Sequence, residues 1–271
     1  MKSLNLAGKW VLVTGASSGL GYEMARQLAN VHRCNLIIAA RRADKLDQLK
    51  TQLEAEAGIQ VKAVPADLSD VAAIDKLINI CVTETDLYGA ILNAGVTYFG
   101  YHKDLPWDQF QSLVQTNVMG VVRMTNLLTN HFEQTGKESA LMLVSSMAGI
   151  VPVPYQSAYS GTKSFIISFA TALSHELTNP NYSITVYAPG GIVSEMTSGE
   201  KFSTLQKFLM PVSQAAKEAI GAFINRRRIY VPGFLNRLSV KLLKFLPNKP
   251  IIAQVGATYR KALKAAEEKH T

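Results

Sequence analysis

Short apolar runs alternate along the chain with longer segments in which apolar residues recur every three or four positions. The runs, such as "NLIIAA" at 35–40, are almost continuously apolar, as in strands that helices cover on both faces of a parallel sheet. The alternation predicts an α/β fold, a doubly wound parallel sheet of about seven strands with helices on both faces. The predicted strands are 10–15, 35–40, 61–67, 89–95, 140–146, 183–190 and 229–233, and the predicted helices are 19–31, 43–57, 70–84, 107–132, 156–178, 213–228 and 234–247.

The composition agrees with one globular domain that has a sizeable core. Of the 271 residues, 48 % are hydrophobic and 18 % are charged, and no repeat or low-complexity linker divides them. Cys34 and Cys81 lie in apolar stretches, which predicts buried, reduced thiols, with a disulfide between them as the alternative. The amino terminus has no signal-peptide pattern, and no apolar run reaches the length of a membrane span, so we predict a cytoplasmic protein.

The net charge of +8 is concentrated at the carboxyl end. Residues 201–271 contain 14 Lys and Arg but three Asp and Glu, whereas residues 1–200 contain 14 and 17. This distribution indicates a local surface function of the last quarter, and it does not indicate a nucleic-acid-binding protein.

A glycine-rich stretch, "TGASSGLG" at 14–21, follows the first predicted strand and opens the first helix. Glycines allow a sharp turn there and let backbone N–H groups at the helix amino terminus approach a pyrophosphate. The alternative is a tight strand–helix turn without a ligand. We predict cofactor contacts from Gly15, Ser17, Ser18, Gly19, Leu20 and Gly21.

The end of the second strand indicates which nucleotide binds. A site for NAD would have an acidic residue about 20 residues beyond the glycine loop, to bind the ribose 2′-hydroxyl. Ala39 and Ala40 occupy that place, and Arg41 and Arg42 follow. Guanidinium groups suit the 2′-phosphate of NADP(H), so we predict NADP(H), with Arg41 as the preferred contact. The alternative is a solvated basic corner of helix 43–57.

Two further strand ends carry candidate cofactor contacts. Asp67, followed by Leu68, could accept a hydrogen bond from the adenine amino group or cap the next helix, and the sequence favours neither. The turn Asn93-Ala94-Gly95 is small enough to pass close to the cofactor ribose, although alone it is only a turn.

Six motifs occur together in one order, and their series resembles the short-chain dehydrogenase/reductase family. They are "TGASSGLG" at 14–21, "NAG" at 93–95, "TN" at 116–117, "VSS" at 144–146, "YSGTK" at 159–163 and "PGG" at 189–191. The resemblance implies a Rossmann-like single domain over 1–271. It places the cofactor and catalytic core in 6–196, and a substrate lid, last strand and basic amphipathic extension in 197–271.

The resemblance also implies a catalytic tetrad of Asn117, Ser146, Tyr159 and Lys163. Ser146 precedes Tyr159 by thirteen positions, as is usual in the family, and Ser145 is the second choice. In relatives the loop after the sixth strand contacts the nicotinamide. Here that loop supplies Pro189, Gly190, Ile192 and Ser194, with Ser194 at the position of the family's threonine. The family's doubled asparagine before "AG" is reduced to Leu92-Asn93.

The chemistry of these residue types agrees with such roles. Tyr159 and Lys163 are four apart and share one helix face, so an ammonium could stabilise a phenolate and move a tyrosine pKa from about 10 toward 7. Tyr159 would then serve as general acid in reduction, and Ser146 would donate to the developing oxyanion. The resemblance alone suggests that Lys163 holds the nicotinamide ribose and that the Asn117 side chain holds a water linked to Lys163.

We therefore predict an NADP(H)-dependent oxidoreductase of the carbonyl reductase type, with no metal. Its predicted substrate is a hydrophobic ketone or aldehyde in a pocket lined by Met147, Ile150, Val151, Val153 and C-terminal segments. The alternatives are a catalytically silent NADP(H)-binding regulator of the same fold and a sugar-nucleotide epimerase or dehydratase. All four tetrad residues are present, which favours the enzyme.

The C-terminal region is predicted less sharply. Residues 198–211 are expected to form a lid, and 234–247 a basic amphipathic helix. The favoured arrangement packs this helix on its own domain or on a partner subunit of a homo-oligomer. The alternative is a weak contact of 234–246 with an anionic membrane surface. The two faces consist of Phe234, Leu238, Leu242 and Phe245, and of Arg237, Lys241 and Lys244.

Overall fold

The computed structural model describes residues 1–243 and 247–268. One sheet of seven parallel strands runs in the order β3-β2-β1-β4-β5-β6-β7, which confirms the predicted doubly wound, Rossmann-like fold. The strands are β1 Trp10–Thr14, β2 Asn35–Ala40, β3 Val61–Pro65, β4 Leu87–Leu92, β5 Ser139–Val144, β6 Tyr182–Tyr187 and β7 Ile229–Tyr230.

Nine α-helices lie within the described residues, and shorter helical turns join them. The α-helices are α1 Gly19–Asn30, α2 Ala43–Ala57, α3 Val71–Thr83, α4 Trp107–Val114, α5 Val121–Thr135, α6 Ser157–Leu173, α7 Val212–Ile224, α8 Phe234–Leu243 and α9 Asn248–Glu267. The 3₁₀ turns are His102–Asp104, Met147–Gly149, Glu195–Thr197 and Glu200–Phe208. None of the helices in 1–243 and 247–268 has the length and apolarity that a membrane span requires.

Each face of the sheet has its own hydrophobic core because successive strand residues point to opposite sides. In β1, Val11 and Val13 join the core under α1, α2 and α7, whereas Leu12 joins the core under α3, α5 and α6. The two cores cover both faces of the sheet, whose carboxyl edge carries the loops that follow its strands. Cys34 and Cys81 are buried and unbonded to each other, as predicted.

The long helix predicted over 107–132 is interrupted. A π-helical turn, Gln115–Gly120, separates α4 from α5. A Cβ at Gly120 would lie 2.2 Å from the carbonyl oxygen of Leu68, so the chain approaches the turn after β3 too closely for any side chain. The extra residue in this turn rotates Asn117 into the interior, and π turns of this kind are frequent at functional sites.

The sequence did not predict α9. Pro247 lies at its N-cap and Pro250 in its first turn, where proline is tolerated. From there α9 runs back across the sheet's carboxyl edge and packs on the lid turn Glu200–Phe208. Their contact forms a third, small cluster around Phe99, Leu205, Ala262 and Leu263.

Candidate active site

The hydroxyl of Thr14, at the end of β1, joins the two central loops of the cleft. It accepts hydrogen bonds from the backbone N–H groups of Asn93 (2.9 Å) and Ala94 (3.1 Å). The Asn93 amide returns a bond to the Thr14 carbonyl at 3.0 Å. The turn after β4 is therefore tied to the glycine loop. Thr14 was not among the predicted site residues, because a threonine that ends an apolar strand is common.

The glycine loop has the geometry of a phosphate cradle. Gly15 has a φ of +68°, and a Cβ there would lie 2.9 Å from the Cα of Ala94. A Cβ at Gly21 would lie 2.4 Å from the Gly15 carbonyl oxygen. Ser18 begins α1 without a side-chain hydrogen bond to the first turn, so side-chain capping does not occupy that helix amino terminus. Ser17, Gly19 and Leu20 complete the loop and are partly buried.

Arg42 contacts this loop and Arg41 does not. The Arg42 guanidinium donates to the Ser17 hydroxyl at 3.2 Å and 3.1 Å, and it forms an ion pair of 3.0 Å with Glu195. The hydrogen bonds of Glu195 with Arg42 and Ser18 hold the pKa of this carboxyl below its usual value. Arg41 is exposed and makes no side-chain hydrogen bond within the described chain. The sequence preferred Arg41, but the structure brings Arg42 to the loop.

Asp67 does not cap the helix that follows it. Its Oδ1 accepts from the backbone N–H (3.0 Å) and the hydroxyl (2.8 Å) of Ser69, whereas Asp70 caps α3 by accepting from the Ala72 N–H. The bonds from Ser69 and the nearby charge of Arg41 lower the pKa of Asp67. Asp67 is exposed at the carboxyl edge and the neighbouring Leu68 is buried, so of the two alternatives only a cofactor contact remains open to Asp67.

The Asn117 side chain forms hydrogen bonds with the loop after β4 and with α6. Its Oδ1 accepts from the Val96 N–H (2.9 Å), and its Nδ2 donates to the Val96 carbonyl (2.8 Å) and the Thr162 hydroxyl (3.2 Å). Both amide protons are thus used, whereas the oxygen keeps a second acceptor position. Asn117 therefore ties the loop after β4 to α6, and its role in holding a water stays a prediction.

The structure distinguishes the two serines at the end of β5. Ser145 is buried and donates to the Lys163 carbonyl at 2.7 Å, which fixes β5 to α6. Ser146 is only partly buried, and its hydroxyl forms a hydrogen bond with the Tyr159 phenol. It also donates to the Pro189 carbonyl at 3.3 Å and accepts from the Ala148 N–H. Ser146 thus stands beside the phenol, where the motif spacing predicted it.

Tyr159 and Lys163 are close together, as their spacing in the helix predicted. The Lys163 ammonium lies 5.7 Å from the centre of the Tyr159 ring and donates to the Val144 carbonyl at 3.0 Å. A Cβ at Gly95 would lie 3.4 Å from the Lys163 Nζ and 3.2 Å from the Asn117 Oδ1. The loop after β4 thus passes close to both side chains, and a Cβ at Gly95 would require a small shift of the Asn117 side chain.

The pKa of Tyr159 is shifted in the opposite direction from the expected one. Burial raises it to about 12, although the hydrogen bond with Ser146 opposes the shift. Burial lowers the pKa of Lys163 to about 8. Both shifts have one cause, since a buried group loses the hydration that stabilises its charged form. The polypeptide alone therefore keeps the phenol protonated.

The loop after β6 closes the cleft beside the glycine loop. The Pro189 carbonyl accepts from the Met147 N–H at 2.7 Å, and a Cβ at Gly190 would lie 3.3 Å from the Met147 sulfur. Ile192 forms a bridge with Met210 at the end of the lid.

Ser194 lies where the loop meets the glycine turn. A Cβ at Gly19 would lie 3.3 Å from the Cβ of Ser194. Thr197, which the sequence reading overlooked, donates from its hydroxyl to the Ile192 carbonyl and accepts from the Ser194 N–H at 3.1 Å. The loop is therefore held in place by a threonine three residues beyond the expected position.

A cavity of about 570 Å³ lies between the loop after β4, the lid turn and α9. Phe99, Phe202 and Leu263 give it an apolar wall. Tyr259 of α9 packs edge-on against Phe99 and also raises the pKa of Tyr159, so Tyr259 lies near both this wall and the Tyr159 phenol. This cavity is not bordered by the residues that the sequence predicted to line the substrate pocket, which are Met147, Ile150, Val151 and Val153.

Comparison with known proteins agrees with this arrangement. Residues 9–203 match the family model of the short chain dehydrogenases. The chain therefore belongs to the short-chain dehydrogenase/reductase family, whose members are oxidoreductases that bind a nicotinamide nucleotide. An NADP-dependent 3-hydroxy acid dehydrogenase of Schizosaccharomyces pombe is 33 % identical over 195 residues, covering 71 % of this chain and 74 % of that protein.

Other relatives and structures extend the comparison. The 17-beta-hydroxysteroid dehydrogenase type 3 of Rattus norvegicus is 28 % identical over 224 residues, covering 80 % of this chain and 70 % of that protein. A short-chain dehydrogenase from Sphingobium yanoikuyae in complex with NADPH superposes with a TM-score of 0.77 at 24 % identity, covering 88 % of this chain and 96 % of that one. A Burkholderia phymatum short-chain dehydrogenase/reductase in complex with NAD gives 0.80 at 20 % identity, covering 88 % and 94 %.

Proposed function

We propose that this protein uses NADPH to reduce a hydrophobic ketone or aldehyde to the alcohol. One observation carries the proposal: the Ser146 hydroxyl, the Tyr159 phenol and the Lys163 ammonium converge at the carboxyl edge of the sheet. Ligands of open α/β sheets bind at this edge.

Tyr159 is the proposed general acid. The phenol is protonated at neutral pH and can transfer its proton to a carbonyl oxygen during reduction. Burial raises its pKa to about 12 and so makes it a weaker acid, which the positive charge of Lys163 can offset. Ser146, hydrogen-bonded to the phenol, can donate to the same oxygen while negative charge develops there. The nicotinamide, when bound, supplies the hydride.

Lys163 and Asn117 support the phenol in this proposal. Lys163 is held by the Val144 carbonyl on the face of α6 that carries Tyr159, where its charge can compensate a developing phenolate. Its ammonium could also bind the nicotinamide ribose. Asn117 fixes the adjacent loop and Thr162, and so positions the start of α6.

The cofactor preference rests on the end of β2. Ala39 and Ala40 are buried and offer no carboxylate to a 2′-hydroxyl, while Arg42 lies on the glycine loop and Arg41 is exposed beside it. Both guanidinium groups can reach toward a 2′-phosphate. The NADP-dependent relative from Schizosaccharomyces pombe supports this choice, although similar folds bind NAD as well.

The proposed substrate class rests on the cavity between the loop after β4, the lid turn and α9. Aromatic side chains form much of its wall, and the relative from Rattus norvegicus is named for a hydroxysteroid. A bulky apolar carbonyl compound suits such a wall. The cytoplasmic location and a homo-oligomeric state stay predictions.

A panel of steroid, long-chain acyl and small ketones and aldehydes tests the proposal. We expect loss of reduced-cofactor absorbance with NADPH at a kcat/KM at least about tenfold above that with NADH, in accord with a charge-assisted phosphate contact. Arg42→Ala should remove most of that preference, whereas Glu195→Gln should strengthen NADPH binding because it frees Arg42. Equal rates with both cofactors would contradict the role of the arginines. NADPH binding without turnover of any carbonyl would point to a silent regulator.

A further inference from the structure

Helix α8 turns its apolar side chains away from its own domain. Phe234 and Leu235 are 71 % and 74 % exposed, and Leu238 and Leu242 are 43 % and 55 % exposed. At about 100° per residue, these four positions fall within an arc of about 100° on one side of the helix. We call this arc the α8 apolar face.

The opposite side of α8 holds the helix to the domain through polar contacts. Arg237 forms an ion pair of 2.9 Å with Glu218 and donates to the Tyr230 hydroxyl, and Asn236 donates to the Pro232 carbonyl. The favoured expectation was that this helix packs on its own domain or on a partner subunit. In the described part α8 does contact its own domain, but it does so through polar side chains, and a contact with a partner subunit stays a prediction. Lys244 and Phe245 of the predicted faces lie outside the described residues.

The α8 apolar face begins at the mouth of the catalytic cleft. A Cβ at Gly190 would lie 3.4 Å from the Asn236 amide nitrogen, and one at Gly233 would lie 2.9 Å from the Met210 methyl group at the end of the lid. Whatever covers this face is therefore adjacent to the loop after β6 and to the lid.

The charge around α8 identifies what would cover it. Between Glu218 and Glu267 the sequence contains ten Lys and Arg and no Asp or Glu. Of these, Arg227, Arg228, Lys241 and Lys249 are exposed. A second copy would bring the same positive charge to this face in a symmetric contact, which is unfavourable. An exposed apolar arc with Lys241 at its edge, in a segment rich in Lys and Arg, suits an anionic lipid surface.

We propose that α8 docks this protein onto anionic lipid surfaces. The α8 apolar face would enter the boundary between headgroups and acyl chains, and Lys241, at the edge of that arc, would meet lipid phosphates. Because the face adjoins the cleft, docking would let an apolar carbonyl compound pass from lipid toward Tyr159. This last consequence rests on the proposed function, but the docking itself does not.

Sedimentation of the full-length protein with vesicles tests the docking without any turnover. The probes are vesicles of phosphatidylcholine alone and of phosphatidylcholine with phosphatidylserine. We expect binding to the mixed vesicles, weakened by salt, and little binding to phosphatidylcholine alone. Phe234→Ser with Leu235→Ser should reduce the partition coefficient by more than about tenfold, because it removes two apolar side chains from the interface. Lys241→Gln should reduce it about fivefold.

Val31→Ser is the matched control, since Val31 is an equally exposed apolar residue at the end of α1. We expect it to bind vesicles like the unmodified protein. Equal binding of the Phe234/Leu235 double variant, or no binding of the unmodified protein, would overturn the proposal. The proposal would also be overturned if, in sedimentation velocity without lipid, the double variant had a lower molecular mass than the unmodified protein. The α8 apolar face would then be a contact between copies of the chain.

Discussion

The two sides of the catalytic cleft are held together by different kinds of contact. On the glycine-loop side, the contacts are made to backbone groups: the Thr14 hydroxyl accepts hydrogen bonds from two backbone N–H groups, and the Gly15 turn passes against the backbone of Ala94. On the C-terminal side, the lid and α9 meet the loop after β4 through side chains such as Phe99, Leu205 and Leu263. Backbone contacts demand particular small residues at fixed spacing, whereas apolar packing accepts many residues of similar size.

This difference predicts how each side responds to mutation. Substitutions on the glycine-loop side and at the tetrad should cause large, position-specific losses. Substitutions in the C-terminal cap, by which we mean residues 197–268, should change which substrate fits and leave cofactor binding intact.

The largest expected effect is that of Tyr159→Phe. Removal of the phenolic proton should lower kcat for reduction about 10³-fold, in the range of general acid catalysis. NADPH binding, measured by cofactor fluorescence, should change little. Tyr155→Phe is the control, because it removes the hydroxyl that Arg260 contacts at 2.6 Å and leaves the tetrad intact. Undiminished turnover in Tyr159→Phe would refute the proposed mechanism.

The pH dependence of stability tests the burial of Lys163. Burial lowers its pKa from 10.5 to about 8, so between these values the unfolded chain binds more protons than the folded one. The folded protein should therefore gain about 3 kcal/mol relative to Lys163→Met as the pH rises from 8 to 10.5. Denaturant unfolding at several pH values measures the difference. The exposed Lys217→Met should show no such slope, and a flat difference for Lys163→Met would show that the ammonium is well solvated.

Two glycine substitutions compare a position where the backbone of another segment lies against the glycine with an ordinary helix position that has free space around it. Gly21→Ala should cost about 2 kcal/mol in the free energy of unfolding and weaken cofactor binding, because its Cβ would meet the Gly15 carbonyl. Gly221→Ala in α7 has no atom within 4 Å of the new Cβ and should stabilise the protein by up to about 1 kcal/mol. Equal effects of the two would contradict the tight packing at the glycine loop.

The smallest expected effect concerns the cap. Tyr259→Ala removes the ring that packs edge-on against Phe99 in the cavity wall, so KM for a bulky apolar carbonyl substrate should rise about tenfold. The NADPH dissociation constant should stay the same. Thr258→Ala, at an exposed position of the same helix, serves as the control. An unchanged KM in Tyr259→Ala would show that this part of the C-terminal cap does not contact the substrate.

Local sequence determined the sheet and the places where its loops carry chemistry. Apolar runs fixed the strands, and the order and spacing of short motifs predicted that Ser146, Tyr159 and Lys163 would meet. This was possible because a parallel strand followed by a helix returns each loop to the same edge of the sheet. It was possible also because residues four apart share a helix face.

Tertiary structure alone decided the contacts between distant segments and the environment of each group. In the folded protein the Asn117 amide forms hydrogen bonds with Val96, and the Arg42 guanidinium contacts Ser17. Burial in the fold also raises the pKa of Tyr159. It also placed α9 over the cleft and turned the apolar face of α8 outward. Hydration, and the side of a helix that faces the domain, depend on residues far away in the chain, so neither periodicity nor motif spacing specifies them.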